Sequence, residues 1–104
     1  MIFSTTATVP DKEIIENLGV VAGNIVQSKH VGRDLMAGLK GLIGGEIVGY
    51  TEMLADARDI AIERMVNEAK ARDADAIVNI RFTTSAIMTN ASEMLAYGTA
   101  VKLK

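Results

Sequence analysis

The stretch that decides the fold is residues 50–72, YTEMLADARDIAIERMVNEAKAR. Its apolar residues recur every three or four positions, as they do on one face of an amphipathic helix. Glu68 and Arg72 have the i,i+4 spacing that favours an ion pair on a helix surface. The pattern predicts a long helix that begins at Tyr50, or as early as Glu46. Its predicted inner stripe comprises Met53, Leu54, Ala57, Ile60, Ala61, Met65 and Ala69.

Runs of β-branched and alternating residues predict strands on both sides of this helix. Two strands, 2–8 and 14–29, precede it, and two more, 76–88 and 93–104, follow it. Residues 12–18 also fit one or two helical turns capped by Asp11. A shorter helix is predicted over 33–43, ended by Gly44 and Gly45. The resulting ββααββ order predicts an α+β fold, an antiparallel sheet with two helices packed on one face.

The last strand has one bulky face and one small face. The small face consists of Met94, Ala96, Gly98 and Ala100, and we expect it to lie on the side of the sheet away from the helices. Small residues there permit the close approach of another backbone. The mean hydropathy of the 104 residues is +0.23 although only 4% are aromatic. A chain this small has little interior, so the surplus of aliphatic surface predicts contacts between subunits.

Composition excludes several classes of protein. The chain has 11 basic and 13 acidic residues, a balance that disfavours nucleic-acid binding, which requires a basic face. It has no cysteine, which excludes disulfides, zinc ribbons, iron–sulfur clusters and thiol nucleophiles. No signal peptide and no membrane span is recognisable, so we expect a cytoplasmic protein. The length predicts one domain, residues 1–104.

Few residues can be assigned a chemical role from a sequence motif. His30 is the only histidine; one imidazole per chain forms a ring of ligands only near the axis of a cyclic oligomer, and a structural role is the simpler interpretation. Arg81 and Glu93 are predicted to lie roughly across from each other on paired strands. A cross-strand ion pair is the preferred interpretation, and a polar patch at a subunit boundary is the other. The glycines of residues 38–45 lack the Gly-Lys-Ser/Thr of a phosphate loop.

A series of short motifs along the whole chain resembles the YbjQ family of small bacterial and archaeal proteins, some of which are labelled as heavy-metal-binding. The motifs are LGVVAG at 18–23, RD at 33–34, GGE at 44–46, YTE at 50–52, AR at 57–58, RM at 64–65, ADAIV at 74–78, RF at 81–82, TS at 84–85 and AYGTAV at 96–101.

The resemblance implies a dodecin-like α+β subunit in a ring-shaped homopentamer, without an established enzymatic activity. Soft metals prefer thiolate ligands, and this chain has none. A metal site would therefore use His30, Glu46 and Glu93, or methionine sulfur, from several subunits. The other polar positions that match the family are Arg33, Asp34, Tyr50 and Arg81.

The leading hypothesis is a non-enzymatic, cytoplasmic homo-oligomer that binds a divalent metal ion or a small ligand between its subunits, without nucleic-acid or membrane partners. One alternative is a structural or interaction scaffold. Another is a small hydrolase or isomerase that uses His30 or carboxylates shared between subunits. Glu46 with Glu52, or Asp56 with Asp59, would serve only if burial raised their pKa values.

Overall fold

The computed structural model describes residues 1–28, 48–88 and 91–104, with the backbone alone at 48–50. The described residues form two strands, β1 (Ile2–Phe3) and β2 (Ile14–Ser28), then the helix α1 (Val48–Ala71), then the strands β3 (Ala76–Met88) and β4 (Ala91–Leu103). The sheet has the order β1-β3-β4-β2. β4 is antiparallel to both of its neighbours, and β1 runs parallel to β3.

The predicted ββααββ arrangement with two helices on an antiparallel sheet is therefore wrong. The part of the chain that the structure describes has one helix and a mixed sheet, and the predicted helix over 33–43 lies outside that part. The long helix and the strands 14–29, 76–88 and 93–104 are confirmed to within two residues at each end. The first strand is much shorter than predicted. After Phe3 the chain keeps backbone hydrogen bonds to β3 at Ser4 and Thr6 without regular strand geometry, and the side chains of these two residues hydrogen bond within the segment 4–8.

The parallel pairing of β1 follows from the path of residues 4–13. β1 and β2 lie at opposite edges of the sheet, so this segment crosses the end of the face that α1 leaves uncovered. Val9 is buried there with Ala76, Val78 and Val101 in a small second core. Arg81 Nη1 donates a hydrogen bond to the Thr5 carbonyl at 3.0 Å, and this bond anchors the start of the segment 4–13 that crosses the sheet.

The helix lies on the small face of the sheet, the opposite of what the sequence predicts. Met94, Ala96 and Ala100 form one core with the inner residues of α1. On β2, a Cβ at Gly23 would overlap the Ala61 carbonyl and the Met65 backbone nitrogen. The small side chains do admit a second backbone, as expected, but that backbone is the chain's own helix. Of the predicted inner stripe, Leu54 is exposed.

A β-bulge at Asn79 shifts the side-chain alternation of β3 by one residue, so that Val78 and Ile80 face opposite sides of the sheet. The register passes from Val78↔Thr99 to Arg81↔Tyr97, and Asn79 has a φ of 54°, a conformation that asparagine tolerates. Ile80 packs under α1, whereas Val78 faces the second core. The prediction that Val78, Ile80 and Phe82 share one face is therefore wrong for Val78, which lies on the opposite face from Ile80.

Side chains of α1 cover the outer edge of β2. Arg64 Nη1 donates to the Asn24 carbonyl at 2.7 Å, and Arg72 Nη1 donates to the Leu18 carbonyl at 2.9 Å. Between them, Glu68 accepts a hydrogen bond from the Ala22 N–H at 3.1 Å and pairs with Arg72 at 2.9 Å. The predicted ion pair is confirmed, and its larger role is to occupy backbone groups that another strand would otherwise bind.

We expect Gly23→Ala to destabilise the fold by about 2 kcal/mol, because the new methyl group forces α1 away from the sheet or strains both backbones. Urea unfolding of the variant and of wild type measures the difference. Ser28→Ala, at an exposed position of the same strand, should change the free energy of unfolding by less than about 0.5 kcal/mol. Equal stabilities of Gly23→Ala and wild type would contradict this packing.

Asp75 closes the end of the sheet where α1 leads into β3. Its carboxylate accepts the Leu103 N–H at 2.8 Å and lies 3.5 Å from the Lys102 ammonium. The hydrogen bond from Leu103, followed by the charge of Lys102, lowers the pKa of Asp75 below its usual value. The folded state therefore binds this proton less readily than the unfolded state does.

The contribution of Asp75 to stability is thus present above about pH 4, the usual pKa of an aspartate, and is lost as the pH falls through its lower folded value. We expect Asp75→Asn to lower stability at pH 7 and to flatten its fall between pH 4 and pH 2. Urea unfolding across this range tests it, with Asp56→Asn, an exposed acid of α1, as the matched control. An unchanged acid slope in Asp75→Asn would refute the assignment.

Candidate functional site

One face of the sheet, opposite α1, carries the polar residues that β2, β3 and β4 bring together. We call it the open face. Cross-strand register places its side chains in rows, because directly opposed residues share a face. The rows are Ala22–Tyr97–Arg81, Asn24–Leu95–Thr83 and Val26–Glu93–Ser85. Polar and apolar side chains are thus mixed over a surface three strands wide.

Glu93 is the one proposed metal ligand that lies on this surface in the described part of the chain. It is half-buried and accepts a hydrogen bond from the Asn24 Nδ2 at 3.1 Å. Ser85 opposes it on β3 and Val26 opposes it on β2. Glu93 therefore lies between an amide, a hydroxyl-bearing residue and an apolar residue.

Arg81 and Glu93 do not oppose each other, contrary to the sequence interpretation. Arg81 opposes Tyr97, four residues further along β4 than Glu93, which corresponds to about 13 Å of strand. The Arg81 Nη1 donates to the carbonyls of Thr5 and Ile80 at 3.0 and 2.8 Å. The guanidinium therefore holds the crossing segment.

The remaining sequence-predicted positions are distributed as follows. Tyr50 lies in the first turn of α1. His30, Arg33, Asp34 and Glu46 lie outside the described residues. Within 1–28, 48–88 and 91–104, no three histidine or acidic side chains converge on one point. Of the three proposed metal ligands, the described residues thus contain Glu93 alone, and a single carboxylate with no thiolate in the sequence does not fit a soft heavy metal.

Sequence reasoning missed Asn24 and Tyr97 as members of this surface. Asn24 stands in a run of valine, glycine and isoleucine, where an amide side chain requires a polar partner or solvent. That contrast was a usable signal. Its pairing with Glu93 was not predictable, because it depends on the register of β2 against β4, two strands that are not consecutive in the chain.

The open face also exposes large apolar side chains. Val20, Val26 and Tyr97 are 66%, 54% and 39% exposed. The described chain is elongated, with extents of 53 × 23 × 17 Å and a radius of gyration of 17.0 Å, whereas a compact domain of this length has about 13 Å. An apolar face on an extended sheet is typical of a surface that another protein covers.

These features define a small α+β protein in which the described residues leave most of one mixed-polarity sheet face without cover. Residues 1–104 match the model of the YbjQ_1 family, described as "Putative heavy-metal-binding", and the chain belongs to this family. Similar proteins, each called a UPF0145 protein, are found in Vibrio parahaemolyticus, Psychromonas ingrahamii and Archaeoglobus fulgidus. They are 68%, 66% and 61% identical, over 99%, 100% and 100% of this chain and 98%, 99% and 96% of their own lengths.

A crystal structure from Pediococcus pentosaceus has a similar fold. Its protein is described as being of unknown function and as belonging to the DUF74 family. The TM-score is 0.65 at 13% identity, over 100% of this chain and 98% of the other. The family assignment agrees with the resemblance drawn from the sequence motifs. Within the described residues, no helix is both long and apolar enough to cross a membrane.

Proposed function

We propose that the protein is a cytoplasmic, non-enzymatic homo-oligomer that binds a divalent metal ion or a small polar ligand between its subunits, and that the assembly is a pentamer. The observation that carries the proposal is the open face, where exposed Val20 and Val26 flank the hydrogen-bonded pair Asn24–Glu93. A second subunit on this face covers the valines and brings further donors to Glu93.

The chemistry of the site supports sharing between subunits. Carboxylate and amide oxygens suit hard or borderline divalent cations, and Glu93 with Asn24 supplies one such pair per chain. A cation requires four or more ligands. A closed ring multiplies each ligand by the number of subunits, so an incomplete site in one chain becomes a complete one in the assembly. The His30 imidazole and the Glu46 carboxylate are the other proposed donors.

The assembly is tested by native mass spectrometry and sedimentation velocity. We expect wild type to have five times the 11.1 kDa mass of one chain. Val26→Asp should shift the assembly towards single chains, because it places a charge in an apolar contact. Asn67→Asp, which adds the same charge at an exposed position of α1, should leave the mass unchanged. A wild type that remains monomeric at micromolar concentration would end the proposal.

Ligand binding is tested by calorimetric titration with Zn²⁺ as the probe. We expect wild type to bind, and Glu93→Gln and His30→Ala to lose at least tenfold in affinity, while Glu63→Gln, on the exposed side of α1, binds as wild type does. Glu93→Gln keeps the size of the side chain and removes its charge. Equal affinities in all four proteins would remove Glu93 and His30 from the site. A normal oligomer that binds no divalent cation would favour the scaffold alternative.

A further inference from the structure

A concave pocket lies on the α1 side of the sheet, beside β3. It has a volume of about 190 Å³, which is smaller than the roughly 300–1,000 Å³ of sites that take drug-sized ligands. Met65 of α1 and Ile80 of β3 line it and are buried, whereas Phe3 of β1 and Phe82 of β3 line it and are 48% and 42% exposed. The pocket therefore combines a buried floor with an accessible mouth, and its size suits a small molecule.

The lining of the pocket favours a ligand with an aromatic ring. Apolar residues make up five of the seven that line it, and both phenylalanines of the chain are among them. The other two are Ser4 and Thr5. The Ser4 hydroxyl already hydrogen bonds with the Thr6 hydroxyl at 2.7 Å, and the Thr5 carbonyl already accepts a hydrogen bond from Arg81. Ring–ring contacts stabilise an aromatic ligand beyond the burial of its apolar area.

Arg58 lies at the end of the pocket that β1 does not close. It precedes Ile62, a lining residue, by one turn on the same flank of α1, which places their Cβ atoms about 6 Å apart. α1 runs antiparallel to β2, because its successive arginines contact earlier and earlier residues of that strand. β3 is parallel to β2, since both are antiparallel to β4. Arg58 is therefore level with the residues that follow Phe82, and the mouth of the pocket is within the length of its side chain.

The surroundings of Arg58 supply it with no counter-charge in the part of the chain that the structure describes. The other three arginines there bond to β2 or to the crossing segment, whereas the Arg58 side chain has no hydrogen bond or ion pair with any described residue. Residues 82–88, across the pocket, carry no charge. Its helical neighbours three and four residues away are all apolar, namely Leu54, Ala55, Ala61 and Ile62. An arginine placed in this way is complementary to an anion that is attached to an apolar body.

We infer that this pocket binds a small aromatic carboxylate. The ring of the ligand packs against Phe3 and Phe82 over the buried floor, and its carboxylate accepts charge-assisted hydrogen bonds from the Arg58 guanidinium. Every residue of this site belongs to one chain and lies on the opposite side of the sheet from Glu93. The inference therefore goes beyond the proposed function, and it does not depend on the assembly or on metal binding.

The probe is phenylpropionate, titrated into the whole protein and followed by NMR of the methyl groups. We expect the methyl signals of Ile62, Met65 and Ile80 to shift, because these side chains line the pocket. Phenylpropanol has the ring without the charge, and propionate has the charge without the ring, so each should bind at least tenfold more weakly. The absence of shifts at millimolar phenylpropionate, or shifts confined to other methyl groups, would overturn the inference.

Arg58→Gln removes the charge at the mouth of the pocket. Lys70→Gln is the matched control, since it removes a charge from an exposed position of the same helix, two turns beyond Ile62. We expect Arg58→Gln to bind phenylpropionate at least tenfold more weakly than wild type and to bind phenylpropanol equally well. Lys70→Gln should bind both compounds as wild type does, and circular dichroism checks that both variants are folded.

Two results with these variants would contradict the site. Unchanged affinity of Arg58→Gln for phenylpropionate would show that the guanidinium does not hold the carboxylate. An equal loss in Arg58→Gln and Lys70→Gln would attribute binding to general positive charge on α1 instead of to this pocket. Neither result bears on the oligomer or on Zn²⁺ binding, which are measured separately.

Discussion

The fold depends on how closely one helix approaches one strand. At Gly23 of β2 there is no room for a methyl group beneath Ala61 and Met65, and the surrounding core consists of alanine, methionine, valine and isoleucine. Close approach brings the long side chains on the flank of α1 level with the β2 edge. Arg64, Glu68 and Arg72 then reach the backbone of that strand. One steric constraint thus fixes the position of the helix and closes an edge of the sheet.

The same position of α1 determines which surfaces remain bare. The helix covers β2 and β4 on one side, and the crossing segment covers only an end of the other side, around Val9. The rest of the open face and the outer part of β3 have no cover within the described chain. The contact that we propose between subunits lies on the part of the open face that the helix and the crossing segment do not reach.

Much of the secondary structure was predictable because its signals are local. The apolar period of α1 and the alternation in β3 place these elements within two residues. Which face of β4 packs against α1 was not predictable, since the helix can pack on either the small or the bulky side of a strand. The bulge at Asn79 depends on a single residue in the left-handed conformation. It places the side chains that follow it on the opposite faces from those that an unbroken alternation predicts. Of the candidate site, Glu93 was singled out from the sequence as a polar position, but its partner Asn24 was set by a register that no local pattern encodes.

The path of residues 4–13 has a consequence for the order of folding. β1 pairs with β3, and Val9 of the crossing segment packs against Ala76 of β3 and Val101 of β4, so both depend on strands that come much later in the chain. Contacts that join distant parts of a chain form slowly, because a long loop must close first. β1 precedes β3 in the sequence and is synthesised before it, so we expect β1 to wait for its partner strand and to be among the last segments to pair.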